Sequence, residues 1–256
     1  MNGSTIECDA AAVGNSAVIG GQTIYAVDRD ALISVVENGY FTFTPPGSPS
    51  STTVTPTDLS CVCTSNITDM SELFNRDGVY GKANFNTDIN NWDVSNVTNM
   101  LSIFANATVF NEPLNNWDVS LVENMQNMFY NAFTFDQDLD IWDVGVVENM
   151  KNMFYNANSF NRSLNSWNVS NVKNFVGMFN DADVFNQPLD NWVLSTQLTN
   201  LNYMFLEASR FNQPLDNWVT TNITQLRGTF KGADDFNQNL DTWDVSEVIL
   251  MDELFS

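Results

Sequence analysis

The chain predicts an α/β repeat protein. The expected fold is a right-handed β-solenoid with one short parallel strand and one short helical arm per ~25-residue repeat, preceded by a small N-terminal α+β cap. Three observations predict it. The tryptophans are Trp92, Trp117, Trp142, Trp167, Trp192, Trp218 and Trp243, at intervals of 25, 25, 25, 25, 26 and 25 residues. Two phenylalanines keep the same period, one at Phe85, Phe110, Phe135, Phe160, Phe185, Phe211 and Phe236, the other at Phe74, Phe104, Phe129, Phe154, Phe179, Phe205, Phe230 and Phe255. Residues 1–58 do not repeat.

The cap reads as a hairpin, a helix and a loop. Ser16 to Ile19 and Gln22 to Val27 flank Gly20-Gly21, a hairpin signal. Asp28-Arg29-Asp30 opens a short helix through Val36 that ends near Gly39. Phe41 to Thr44 is extended, and Pro45 to Thr53 is a Pro/Ser-rich loop.

The second domain, 59–256, holds about seven repeats and stops partway through the last. The copy starting at Phe110 is the cleanest. Leu114-x-x-Trp117-x-Val119 predicts the strand. Val122, Met125, Met128, Phe129 and Ala132 follow at three- and four-residue steps, which predicts the helical arm, with Ser120 as its cap. Pro113 marks the return loop. A shortened copy at Cys61 to Phe74 precedes the first tryptophan, with Val62 in its slot. Extra residues around Asn75 to Gly81, and one near Ser195-Thr196-Gln197, are the irregular points. No repeat recovers the ordering entropy of ~1–2 kcal/mol per residue alone, so stability is shared between neighbours.

Charge narrows the function. The chain carries 31 acids against 9 bases, net −22. Such a polyanion repels nucleic acid and anionic lipid, and leaves cations, basic patches and glycans as partners. Histidine is absent, which removes Ser-His, Cys-His and His-metal constellations. No apolar stretch approaches the ~18 residues of a membrane span, so no membrane insertion is expected. Met1 before the polar Asn2-Gly3-Ser4 reads as a start residue set ahead of a mature secreted segment, and the natural protein is expected to continue beyond Ser256.

Cys8, Cys61 and Cys63 cluster before the tryptophan-bearing repeats. They suggest a staple between the cap and the first repeat. Cys8–Cys63 is the preferred pair, Cys8–Cys61 its rival, and free thiols the remaining alternative.

Each candidate site has a plain structural reading beside it. The tryptophans read as core, against an exposed ladder for sugar stacking. Asn86, Asn111, Asn161, Asn186, Asn212 and Asn237, with Asp136 in the third slot, read as a stacked ladder that satisfies turn amides. The outward acids are the binding candidates: Asp140, Asp190, Asp216 and Asp241 after the leucine, and Asp93, Asp118, Asp143 and Asp244 after the tryptophan. Stacked like charges repel unless solvated, hydrogen-bonded or bridged by a cation. The face is therefore a solvated surface or a partner surface, and Asp136, Asp138, Asp140 and Asp143 form the densest calcium candidate. No cofactor is otherwise expected.

The unit FNQPLDNWDVSNVTNMxxMFxxA resembles the repeat of BspA-like leucine-rich-repeat surface proteins, in particular the mycoplasma-type lipoprotein repeat, over about residues 59–256. The start, from Asn2 to Cys8 and on to Asp28, is similar to the segment before such arrays. The resemblance implies a secreted or surface-attached adhesin or interaction scaffold without catalytic residues. It also implies one cysteine, at Cys63, where this chain adds Cys61. The expected function is thus non-enzymatic binding of a host or neighbouring-cell protein or glycan through the acidic face. A calcium-dependent glycan-binding module and a spacer holding a distal domain are the alternatives. Monomer and end-to-end association are both compatible with the sequence.

Overall fold

A computed structural model describes residues 13–14, 16–19, 22–38, 40–43, 51–55, 59, 62–75 and 84–255. The regular elements among them all lie before the first tryptophan. Strands β1 (Ser16–Ile19) and β2 (Gln22–Ala26) pair antiparallel, with Ser16 opposite Tyr25 and Ile19 opposite Gln22. Helix α1 (Arg29–Asn38) follows. Asp28 caps it, its Oδ1 accepting from the Ala31 amide at 2.8 Å. Strand β3 (Phe41–Phe43) pairs antiparallel with β4 (Thr52–Val54), so part of the stretch expected as a Pro/Ser-rich loop is strand. Residues 44–50 of that loop lie outside the described residues.

Strand β5 (Val62–Cys63) joins β2 in parallel, pairing Tyr25 with Val62 and Ala26 with Cys63. This ties the N-terminal segment to the first repeat. Arg29 adds a second tie. Its Nε donates to the Asp69 carbonyl at 3.1 Å and its Nη2 to the Ser71 carbonyl at 3.0 Å. Cys63 is buried and disulfide-bonded. Cys8 and Cys61, and with them the choice of pairing, lie outside the described residues.

The leucine-rich-repeat-like β-solenoid expected from the sequence, with a strand and a helical arm in each copy, does not form. Among the described residues the chain has one helix and five short strands, and the tryptophan-bearing repeats hold neither. They are built of turns. Leu114 to Trp117, expected as strand, closes a turn in which the Trp117 amide donates to the Leu114 carbonyl at 3.1 Å.

The expected helical arm is a run of turns too. The Met128, Tyr130 and Ala132 amides each donate three residues back, to Met125, Asn127 and Phe129. The intervening amides leave the repeat: Met125, Asn127, Phe129 and Asn131 donate to the carbonyls of Asn149, Lys151, Met153 and Tyr155 at 2.8–2.9 Å. The physical reason is the backbone at two positions per copy. Asn127 and Asn131 have φ of 56° and 55°, and the pairs Ser102/Asn106, Asn152/Asn156 and Tyr203/Glu207 repeat this. An α-helix needs φ near −63° throughout, and asparagine is among the residues that best tolerate the left-handed region.

Single parallel bridges link successive copies through Asp69, Asn99, Asn124, Asn149 and Asn174, and again through Asn200, Gln225 and Leu250. The bridge between Asn174 and Asn200 is missing, where the 26-residue interval shifts the register. Cross-repeat bonding resumes with Gly177 to Asn202 at 3.0 Å.

Aromatic columns fill the interior. Phe104, Phe129, Phe154, Phe179, Phe205 and Phe230 stack 5.5–5.8 Å apart. A second column through Phe110, Phe135, Phe160, Phe185 and Phe211 has steps of 6.0–6.1 Å. The columns meet at about 4 Å, as in Phe129–Phe135 at 4.0 Å. Val122, Met125, Met128 and Ala132 are fully buried around them. Each buried side chain of this size contributes roughly 1.5–3 kcal/mol, but only while a neighbouring copy covers it.

Candidate functional site

The fold sorts the sequence candidates into inner, bridging and outward groups. The tryptophans are inner: all seven are at least nine-tenths buried. Each indole reaches back one copy. Trp117 Nε1 donates to Ile89, Trp142 to Leu114, Trp167 to Leu139, Trp192 to Leu164, Trp218 to Leu189 and Trp243 to Leu215, at 2.9–3.1 Å, while Trp92 donates to Leu59 at 3.0 Å. A buried indole needs such a partner, and here it doubles as a tie between copies.

The asparagines after the first phenylalanine bridge. The Oδ1 atoms of Asn86, Asn111, Asp136, Asn161, Asn186 and Asn212 accept from the amides of Asn111, Asp136, Asn161, Asn186, Asn212 and Asn237 at 2.8–3.1 Å. Only an acceptor is required, so Asp136 serves where the other copies use asparagine.

Two further ladders escaped sequence reasoning. Asn124 Nδ2 donates to Asn99 Oδ1 at 3.1 Å, and Asn99 Nδ2 to Asp69 Oδ1 at 3.1 Å. At the left-handed positions Asn131 Nδ2 donates to Asn106 Oδ1 at 2.7 Å, and Asn156 Nδ2 to Asn131 Oδ1 at 2.9 Å. Their signal was the recurrence of Asn124 and Asn131 at 25-residue steps inside a stretch whose other residues mimic helical spacing.

The outward group is the candidate interaction face. Asp118, Asp143 and Asp244 are exposed, whereas Asp93 is buried. Each carboxylate is held by the amide two residues on: Asp118 by Ser120, Asp143 by Gly145 and Asp244 by Ser246 at 2.9–3.0 Å, and Asp93 by Ser95 at 3.0 Å. The Ser246 backbone and side-chain hydrogen bonds hold Asp244 below the ordinary carboxylate range. After the leucine, Asp216 and Asp241 are exposed and Asp140 and Asp190 half-buried. Asp190 Oδ1 accepts from Asn165 Nδ2 at 2.9 Å.

The four calcium candidates do not converge. Asp136 Oδ2 pairs with Arg162 Nη2 at 2.8 Å, and Asp138 Oδ1 accepts from the Asp140 amide at 3.0 Å. Asp140 Oδ1 accepts from Ser163 Oγ at 3.2 Å and Ser166 Oγ at 2.9 Å, and Asp143 is engaged by Gly145. Among the described residues no group of three or more His, Cys, Asp or Glu is placed to hold a metal ion.

On another side, the Tyr130 and Tyr155 rings stack at 4.5 Å and 11°. Partial burial, then the Asp181 and Tyr130 charges, raise the Tyr155 hydroxyl. Partial burial and then Asp183 raise the Asp181 carboxyl, against a hydrogen bond with Tyr155.

Copies of one turn-built unit, joined by amide ladders and aromatic columns, define a tandem-repeat protein. The chain belongs to the family described as "Mycoplasma protein of unknown function, DUF285", which matches residues 49–165, 133–233 and 160–256. Neither the curated proteins nor the solved structures include a match to it. Among the described residues no helix is long and apolar enough to cross a membrane.

Proposed function

We propose that the chain is a non-enzymatic, secreted or cell-surface protein of BspA-like kind. It is an adhesion or protein-interaction scaffold whose acidic face meets a protein or glycan on a host or neighbouring cell. One observation carries the reading: Asp118, Asp143 and Asp244 stand exposed in one register of the repeat, each fixed by its own turn amide. Prefixed carboxylates lose little freedom on meeting a partner. The acids also recur from copy to copy, whereas a catalytic pair is a singular exception to its surroundings.

The test is binding of the purified chain to arrayed host-cell surface proteins and glycans, with and without calcium. The expected result is salt-sensitive, calcium-independent binding, weakened by the triple substitution D118N/D143N/D244N. Binding that the triple variant keeps in full would sink this reading. Binding that needs calcium would favour the glycan module instead, and no binding to any surface would favour a spacer.

A further inference from the structure

The register after each tryptophan is acidic at most copies and changes character once. It reads Asp93, Asp118, Asp143, Asn168, Val193, Val219 and Asp244. Val193 and Val219 are 68% and 67% exposed, so neither is a core residue. They stand on adjacent copies, directly after Trp192 and Trp218, whose rings stack 6.3 Å apart at 2°. The change coincides with the other singular point of the array. The inserted residue near Ser195-Thr196-Gln197 follows Val193, and the bridge from Asn174 to Asn200 is lost there. In a repeated surface, the place where the rule is broken is the place that differs chemically from the rest.

The surroundings keep the charge. Asp216, Asp241 and Asp244 are exposed nearby in the repeat, Asp190 is half-buried, and none of them is in an ion pair among the described residues. An aliphatic pair inside an acidic strip complements a cationic, apolar partner. A second copy of this chain, at net −22, is repelled. Extended chain places same-side residues about 6.6–6.8 Å apart, close to the spacing of the two copies.

We propose that Val193 and Val219 form a docking site for an extended basic segment of a partner protein, with aliphatic residues at alternate positions and lysine or arginine between them. The aliphatic side chains cover the two valines, and the basic ones face Asp190, Asp216 and Asp241. This deepens the interaction reading above and rests on it for biological context.

The test uses two synthetic heptapeptides on the whole chain, Lys-Val-Lys-Val-Lys-Val-Lys and its serine counterpart Lys-Ser-Lys-Ser-Lys-Ser-Lys, followed by titration calorimetry. The variant V193D/V219D restores the residue found at Asp118, Asp143 and Asp244, so it is compatible with the repeat; circular dichroism checks its fold. The expected result is that the valine peptide binds the parent chain, and that the variant weakens it about tenfold or more despite two added negative charges. The serine peptide should bind the variant at least as well as the parent. Valine-peptide binding that is absent, or that the variant leaves equal or stronger, overturns the proposal. Failure of the wider reading looks different: the chain then binds the valine peptide through the valines and adheres to no surface. Adhesion that V193D/V219D leaves intact, with no peptide effect, loses this site and keeps that reading.

Discussion

The Trp167 indole donates to the Leu139 carbonyl at 2.9 Å, one repeat earlier, and both groups are buried. Trp167→Phe keeps an aromatic ring in place and leaves that carbonyl without its donor. It should cost about 1–3 kcal/mol. Trp167→Ala adds a cavity and should cost about 3–5 kcal/mol. Guanidinium unfolding of both variants checks this; a Trp167→Phe chain as stable as the parent would show that the bond contributes nothing.

Asn212 Oδ1 accepts from the Asn237 amide at 2.9 Å and from Gln238 Nε2 at 2.8 Å. Both partners are donors, and Asp136 already fills the equivalent slot. Asn212→Asp should therefore change stability by less than about 0.5 kcal/mol, while Asn212→Leu should cost about 0.5–1.5 kcal/mol. Equal losses in both variants, measured by thermal unfolding, would mean that the acceptor is not what matters.

Gly177 has φ of +63°, and a Cβ there would lie 2.3 Å from Asn152 Oδ1. Gly177→Ala should cost about 1–2 kcal/mol from the left-handed backbone alone, with the displaced Asn152 adding to it. Gly145 is not left-handed, and its Cβ would meet only Asp143 Oδ1, at 3.1 Å, and Asn168 Nδ2, at 3.5 Å. Gly145→Ala should be near neutral. Matching losses from the two substitutions in urea unfolding would refute the backbone argument.

Asp181 sits where earlier copies carry Asn106, Asn131 and Asn156, and its carboxyl pKa is raised by partial burial and by Asp183. The folded chain thus holds this proton more tightly than the unfolded chain. The residue's contribution improves as pH falls towards its ordinary value of 3.8 and is unfavourable at neutral pH. Asp181→Asn should raise Tm at pH 7, and the advantage should shrink as the pH drops through the carboxylate range. Thermal unfolding from pH 7 to pH 4 tests the sign; a lower Tm at pH 7 would contradict it.

The repeat, its aromatic columns and the slots of the tryptophans and bridging asparagines were all legible in the sequence, because burial and stacking recur at the period of the chain. The local backbone was not. Val122, Met125, Met128 and Ala132 lie at three-residue steps because each turn spans three residues, a spacing that overlaps the period of a helix. Asn127 and Asn131, four apart and both left-handed, were the contrary signal. The acids were legible as a row, yet the row does not show that Asp136, Asp138, Asp140 and Asp143 each engage a different partner.

The amides that leave each repeat, such as those of Met125, Asn127, Phe129 and Asn131, all reach the copy that follows. Under tension between the chain ends these bonds break copy by copy, like teeth of a zip rather than a seam loaded along its whole length. Each copy released yields roughly 80–90 Å of slack. A tether built this way lengthens in steps under load while the copies still folded keep their outward carboxylates in place.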